Sequence, residues 1–137
     1  MTFVLGKTSL SRLVGVHPDL VRVVKRAIEI TEHDFSVIEG VRTREKQATY
    51  VASGASTTMN SRHIPGADGL AKAVDLYPVG KPTPWAKCPV IKEAMFQAAK
   101  ELGVSIRWGG DWDMDGDSKD ESFYDGPHFE LLRSKYP

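Results

Sequence analysis

Residues 124–130 read Tyr-Asp-Gly-Pro-His-Phe-Glu, and the apolar run that begins within them and continues to Leu132 is typical of a β-strand. The Gly-Pro pair disfavours a helix, so the chain approaches His128 in a stiff turn or in extended form. The carboxylate of Asp125 precedes this imidazole by three residues. An imidazole held beside an acid suits a metal ligand with a proton-transfer partner, although a surface turn has the same composition. A metal site here requires further ligands from elsewhere in the chain.

The composition is that of an ordinary globular protein. The 137 residues are 41% hydrophobic and 26% charged, which predicts one domain, 1–137, with its own core. The formal net charge is zero, so nothing favours nucleic acid or an anionic membrane as a partner. The single cysteine, Cys88, excludes an internal disulfide framework.

The sequence also carries no sign of membrane insertion or of secretion. No apolar run approaches the roughly 20 residues that span a bilayer. Residues 1–10 have Lys7 after a short apolar start and no long apolar core, so we expect no signal peptide. We therefore expect synthesis and folding in the cytoplasm, with release to any other compartment by a separate protein.

Periodicity predicts mixed helices and strands. Between Leu20 and Ile30, apolar residues recur at helical spacing opposite a charged face, and Pro18 suits the first turn. Helices are predicted over 20–30, 43–52 and 90–102, and strands over 35–39, 72–77, 104–108 and 129–132. Because strands and helices do not alternate regularly, we expect an α+β domain with a mostly antiparallel sheet.

Two further residues, His63 and Asp75, complete a candidate metal site with His128. Asp75 lies in an otherwise apolar strand, where a buried carboxylate is costly unless it meets a cation, a metal or several donors. Two imidazoles and one carboxylate form a known catalytic zinc set with one open position. The alternative is a loop histidine at His63 and an arginine partner for Asp75, and no contiguous zinc motif decides between the two.

Several separated blocks resemble the zinc peptidases of the D-alanyl-D-alanine carboxypeptidase and dipeptidase (VanY/VanX-like) family, and most closely the small phage endolysins that act as L-alanyl-D-glutamate endopeptidases. The likeness covers nearly the whole chain, and its blocks occur in the family's order. The matching blocks are residues 13–18, 40–43, 61–66, 73–75, 108–112 and 125–128. The resemblance implies the hedgehog/DD-peptidase-like fold, with helices flanking the sheet.

The resemblance also implies roles for individual residues. His63, Asp75 and His128 would bind one catalytic Zn²⁺, and Asp125 would be the general base. Arg42 would hold a substrate carbonyl or carboxylate and the developing oxyanion, a task that suits a bidentate guanidinium. Ser61 would lie on the substrate side of the site. From the residues alone, we favour a structural ion pair or a solvated helix entry for Arg42.

The chain departs from the family pattern between the first histidine and the aspartate. Residues 67–71 form an apparent insertion there, which makes Asp68 a rival for the middle ligand. We favour Asp75, because residues 73–76 match the family strand while Asp68 lies in a turn next to Gly69. Glu130 lies on the same strand face as His128, so it is either a support for that ligand or a solvated residue.

An acidic loop precedes the last strand. Carboxylates alternate from Asp111 with Gly116 at the sixth position, as in the first half of a calcium loop, but Ser122 replaces the expected acid at the twelfth. Either a loose regulatory Ca²⁺ site or a solvated loop fits this pattern. The candidate calcium ligands are Asp111, Asp113, Asp115, Asp117, Asp120 and Glu121.

Together, the residues and the resemblance predict a zinc peptidase that cuts the peptidoglycan stem peptide, at the L-Ala–D-Glu bond, for lysis of a bacterial host. It would act as a monomer on the cell wall after release by a holin-type protein, without a separate cell-wall-binding domain. The alternatives are a D-Ala-D-Ala dipeptidase or carboxypeptidase and a non-catalytic, metal-stabilised peptidoglycan-binding module. Retention of Asp125 argues against the module, since a structural zinc needs no base.

Overall fold

The computed structural model describes residues 2–56, 59–114 and 124–137. It contains the α-helices α1 (Lys7–Arg12), α2 (Pro18–Ile30), α3 (Arg44–Ser53) and α4 (Cys88–Leu102), the last preceded by a 3-10 turn at Trp85–Lys87. The strands are β1 (Phe35–Glu39), β2 (Ala73–Pro78), β3 (Ile106–Trp108) and β4 (His128–Leu131). Each predicted helix and strand is present, with ends that differ by at most two residues from the prediction.

The four strands form one sheet in the order β1-β2-β4-β3, with all neighbouring pairs antiparallel. The predicted α+β domain with an antiparallel sheet is therefore confirmed. Asp75 pairs with Glu39 on one side and with His128 on the other. Because paired residues in antiparallel strands lie side by side, the register alone brings three polar residues together in the middle of the sheet.

The core lies between the sheet and the two long helices. Helix α2 presents five buried apolar residues, from Leu20 to Ile28, and packs against α4. Its N-terminus is capped by His17, whose Nδ1 accepts from the backbone N–H of Asp19 at 3.1 Å. Phe129 and Leu131 of β4 are completely buried in the same core, which anchors the strand that carries His128.

Helix α1 was not predicted, because its six residues carry little apolar periodicity and no side-chain cap. Tertiary contacts hold it in place. Ser9 accepts a hydrogen bond from the Val37 N–H at 3.0 Å, and Arg12 donates to the Val37 carbonyl at 3.0 Å. Helix α1 thus satisfies backbone groups of edge strand β1.

Among the described residues, no helix combines the length and apolar character needed to cross a membrane.

Candidate metal centre

Strand pairing and one loop bring His63, Asp75 and His128 together. The Oδ1 atom of Asp75 lies 3.2 Å from His63 Nε2 and 3.3 Å from His128 Nδ1. One donor atom from each of the three residues falls within 4.8 Å of the others, as one metal ion requires. Both imidazoles are buried, and all three residues line a cleft of about 570 Å³.

Hydrogen bonds fix the orientation of both imidazoles. The Nδ1 atom of His63 lies 2.8 Å from the Gly40 carbonyl, which can only accept, so Nδ1 carries the proton. The Nε2 atom of His128 lies 2.8 Å from Oε1 of Glu130, and this carboxylate favours a proton on Nε2. The nitrogens that face Asp75 are thereby left as donors for a metal, the arrangement typical of histidine ligands.

Of the two alternatives for Glu130, support of His128 or a solvated residue, the structure favours the first. Glu130 is buried beside His128 and is not solvated. Its second oxygen accepts from Arg107 at 2.8 Å. Burial raises the pKa of Glu130, but the hydrogen bond and charge of His128 and then the charge of Arg107 outweigh burial and lower it. Glu130 is therefore an ionised support for His128.

The electrostatics of His63, Asp75 and His128 favour a cation among them. Burial raises the pKa of Asp75, but His63 and His128 outweigh it and hold that pKa well below its usual range. Burial disfavours the charged form of His128, but the hydrogen bonds to Asp75 and Glu130 prevail and raise the pKa of His128 to about 9. A metal ion bound at these residues would take the place of the proton that this raised pKa favours between Asp75 and His128.

Arg42 lies at the edge of this group, where it forms an ion pair with Glu39 and also approaches Asp75. It donates to Glu39 from both Nε and Nη2 and to Gln47 Oε1 at 2.7 Å, so the ion pair that the residues alone suggested is present. Its Nη2 atom also lies 3.5 Å from Oδ2 of Asp75, and its guanidinium stacks 4.6 Å from the Tyr50 ring centroid. Sequence reasoning missed Glu39 and Gln47, because nothing in their spacing marks them.

Asp125 lies on the same cleft, in a loop fixed by Gly109. The Asp125 N–H donates to the Gly109 carbonyl, and the Gly109 N–H donates to the His128 carbonyl, both at 2.8 Å. A Cβ atom at position 109 would stand 2.2 Å from the Asp125 carbonyl oxygen, so only glycine permits this approach. Burial, followed by repulsion from Asp75, raises the pKa of Asp125 above its usual range.

The other predicted site residues take different positions. Ser61 lines the cleft, and its Oγ accepts from the His63 N–H at 3.2 Å, which steadies the turn into that ligand. Asp68, the rival ligand, is exposed and pairs with Lys72 at 2.8 Å. The structure thus places Asp75, and not Asp68, between the two imidazoles.

The acidic loop is described only in part. Asp111 and Asp113 belong to the described residues, where Asp111 accepts from the Met114 N–H through its carbonyl at 3.1 Å. The remaining candidate calcium ligands, Asp115, Asp117, Asp120 and Glu121, lie outside the described residues. The calcium site stays a prediction.

A two-histidine, one-carboxylate group beside an open cleft, with a further carboxylate on the same cleft, is the arrangement of a metal-dependent hydrolase. The chain belongs to the phage L-alanyl-D-glutamate peptidase family, whose profile matches residues 1–132. The resemblance seen in the sequence is thereby confirmed.

Individual relatives agree with this assignment. The L-alanyl-D-glutamate peptidase of Escherichia phage T5 is 37% identical over 142 aligned positions, which cover 96% of this chain and all of the relative. The enzyme of the same name from Listeria phage A118 is 38% identical over 102 positions, which cover 73% of this chain and 31% of that longer protein. The crystal structure of the Serratia marcescens L-Ala D-Glu endopeptidase ChiX superposes with a TM-score of 0.81 at 35% identity, covering 98% of this chain and 94% of that one.

Proposed function

We propose that this protein is a zinc-dependent endopeptidase that hydrolyses the L-Ala–D-Glu bond of the peptidoglycan stem peptide and so lyses a bacterial host. The observation that carries the proposal is the meeting of His63, Asp75 and His128 on the cleft that also holds Asp125. The family and the three relatives, each named for this bond, supply the substrate.

Zinc suits the donor set. Two imidazole nitrogens and one carboxylate oxygen are common catalytic zinc ligands, and the other nitrogen of each histidine is already bound to an acceptor. A zinc ion held by these residues would lower the pKa of a water molecule to about 7 and polarise the scissile carbonyl.

Asp125 is the proposed proton carrier. It lines the cleft, and its charge is coupled to those of His128, Asp75, His63 and Arg42. Its carboxylate would accept a proton from the attacking water and deliver it to the nitrogen of the departing D-glutamyl residue. Its raised pKa makes it a stronger base than an exposed aspartate, which suits both halves of that transfer.

Arg42 is the proposed electrostatic partner of the substrate carbonyl. The guanidinium is anchored by Glu39 and Gln47, so its position is fixed before substrate arrives. A pre-positioned cation stabilises an oxygen that gains negative charge without reorganising during the reaction. Ser61 would lie beside the bound peptide, on the same wall of the cleft as His63.

The biological setting follows from the same proposal. We propose a monomer that is made in the host cytoplasm, acts through its single catalytic domain, and gains access to the wall through a holin-type protein. Analytical ultracentrifugation tests the first point, because a monomer of 15.1 kDa is expected. Co-expression with and without a membrane-permeabilising protein tests the last, with lysis expected only when both are present.

A regulatory Ca²⁺ at the acidic loop is a further prediction of the sequence. The loop leads to Asp125 and His128, so calcium binding would affect the positions of these two residues. Titration with calcium, followed by thermal unfolding and lytic activity, decides the matter. No change in either quantity would remove this prediction without affecting the peptidase.

The test of the proposed function is mass spectrometry of the fragments released from purified peptidoglycan. We expect new amino termini at D-Glu and free L-Ala carboxylates on the glycan side, with both lost when a chelator removes the metal and both restored by zinc. Release of D-Ala instead would favour a carboxypeptidase or dipeptidase. No release would favour a binding module.

A further inference from the structure

The two ends of the catalytic cleft differ in chemistry. Strand β2 runs along the cleft with Asp75 near its middle, and Tyr77, two residues further, packs edge-on against Trp85 at 4.9 Å between ring centroids. Towards the start of β2 the wall is formed instead by Arg62 and Arg133. One end is therefore aromatic and the other is basic.

A second cavity of about 460 Å³ adjoins the basic end. The two cavities share a wall made of residues 60–62 and Arg133. Lys72, which lines the second cavity, is neutralised by Asp68. The shared wall thus stands between the metal centre and a space large enough for further peptide residues.

The positive charge of this wall is not balanced within the part of the chain that the structure describes. Of the cations on the catalytic cleft, Arg42 and Lys46 pair with Glu39, and Arg107 pairs with Glu130. Arg62 instead donates to the carbonyls of Leu131, at 3.2 Å, and Tyr136. Arg133 donates to the Asn60 carbonyl at 3.1 Å. Among described residues, neither guanidinium meets a carboxylate within ion-pair distance.

In the described part of the chain, Arg62 also has an unsatisfied polar atom and a like charge beside it. Its Nε atom is buried without a hydrogen-bond partner in the described structure. Burial, followed by the positive charge of Arg133, lowers the pKa of Arg62 against the opposing charge of Glu130. An anion placed between Arg62 and Arg133 would relieve this repulsion.

We propose that Arg133, backed by the fixed charge of Arg62, binds the free carboxylate of the D-glutamyl residue on the leaving side of the scissile bond. This inference rests on the proposed function. A glutamyl residue has two carboxyl groups, of which only one continues the peptide, whereas the L-alanyl residue has no free carboxylate. The single anionic group next to the scissile bond therefore belongs on the basic side of the metal, and the acyl side faces Tyr77.

The division of labour between the two arginines follows from their exposure. Arg62 is half-buried and tied to two backbone carbonyls, so it supplies a stationary charge. Arg133 is exposed and held by one carbonyl, so its planar fork can turn to a carboxylate and bind it with two parallel hydrogen bonds. Arg133 is thus a specificity-determining residue and the one to substitute, because replacing Arg62 would also remove backbone anchors.

The experiment uses two N-acetylated peptides with the L-Ala–D-Glu bond, identical except that the free glutamyl carboxylate of one is a carboxamide in the other. Values of kcat/KM are measured for the wild type, Arg133→Gln, Arg133→Lys and the control Lys135→Gln. Lys135 is an exposed cation that lines neither cavity, so its loss reports the general effect of one positive charge.

We expect Arg133→Gln to lower kcat/KM about ten-fold or more on the carboxylate peptide, because the charge-assisted hydrogen bonds to the carboxylate are lost, with little change on the carboxamide peptide. Arg133→Lys should recover part of the loss, and Lys135→Gln should leave both rates near wild type. Equal losses on the two peptides, or no loss on either, would overturn the subsite while leaving the peptidase intact. Failure of the wild type to cut either peptide would overturn the proposed function and the subsite with it.

Discussion

The candidate metal centre is assembled from two regions that hold their ligands by different means. On the sheet side, Asp75 and His128 are paired residues of β2 and β4, and their strands are anchored in the core. On the loop side, His63 follows an irregular segment and is held by the carbonyl of Gly40 and the hydroxyl of Ser61. Position is set by strand register in the first region and by individual hydrogen bonds in the second.

This difference determines how each region responds to change. A ligand set by register is displaced only if the strands separate, because every ladder hydrogen bond supports it. A ligand set by two or three hydrogen bonds moves when one of them is lost. We therefore expect removal of a sheet-side ligand to appear as loss of metal or of fold, and loss of a single supporting hydrogen bond to appear as graded weakening.

The largest effect is expected when a sheet-side ligand is removed. Asp75→Ala should abolish stoichiometric zinc binding and hydrolysis, because it removes the residue that both imidazoles face. Asp68→Ala is the matched control, since it removes an exposed carboxylate from the same loop-and-strand segment. Metal analysis of the purified proteins makes the comparison. Full zinc in Asp75→Ala together with loss in Asp68→Ala would reverse the choice of middle ligand.

The next effect concerns one glycine from each region. A Cβ atom at Gly109 would stand 2.2 Å from the Asp125 carbonyl oxygen, and one at Gly40 would stand 2.3 Å from the Arg12 carbonyl oxygen. Each alanine substitution should lower the free energy of unfolding by about 1–3 kcal/mol, because backbone atoms must move apart.

Thermal unfolding checks both variants against Gly6→Ala, whose Cβ would meet nothing within 4 Å. Only Gly40→Ala should also weaken zinc binding through His63, since the Gly40 carbonyl is that ligand's support. Melting temperatures of Gly40→Ala and Gly109→Ala equal to wild type would contradict these close approaches.

A smaller effect should follow from Glu130→Gln, which keeps an oxygen for His128 Nε2 but removes the charge shared with Arg107. We expect zinc affinity to fall about ten-fold, as is typical when the support of a metal-binding histidine is altered. Competition with a chelating dye measures it. Glu93→Gln, which removes an exposed carboxylate, should bind zinc as the wild type does. A variant at Glu130 with unchanged affinity would make that residue a structural ion pair only.

The smallest effect is expected for Ser61→Ala. Its hydroxyl supplies one hydrogen bond to the His63 N–H, worth about 1 kcal/mol, and the Gly40 carbonyl still holds the ring. Zinc affinity should fall only a few-fold in the same assay. A loss as large as that of Glu130→Gln would mean that the loop side depends on Ser61 more than on Gly40.

The same contrast explains what could be predicted from the sequence. The α+β class followed from periodicity, and Asp75 stood out because a carboxylate in an apolar strand needs a partner. The strands of the sheet side and its carboxylate ligand could therefore be predicted from the sequence. The register of these strands, which makes Asp75 and His128 neighbours, could not, because no local pattern records which strands pair.

The loop side depended almost wholly on resemblance. The Gly40 carbonyl is a backbone atom that any residue carries, so no residue type signals its contact with His63. The partners of Arg42, Glu39 and Gln47, are separated from it by ordinary spacings on a strand and a helix. Helix α1 was not predicted for a related reason. Its stability comes from tertiary contacts with β1 and not from a helical pattern in its own sequence.

The most direct test of the central claim separates metal binding from proton transfer within residues 125–128. In Asp125→Ala, we predict zinc content equal to wild type, because His63, Asp75 and His128 are untouched, and a loss of peptidoglycan hydrolysis of at least about 100-fold. Zinc content and released fragments are measured on the same preparation. Unchanged cleavage at the L-Ala–D-Glu bond in a zinc-loaded Asp125→Ala variant would contradict the account.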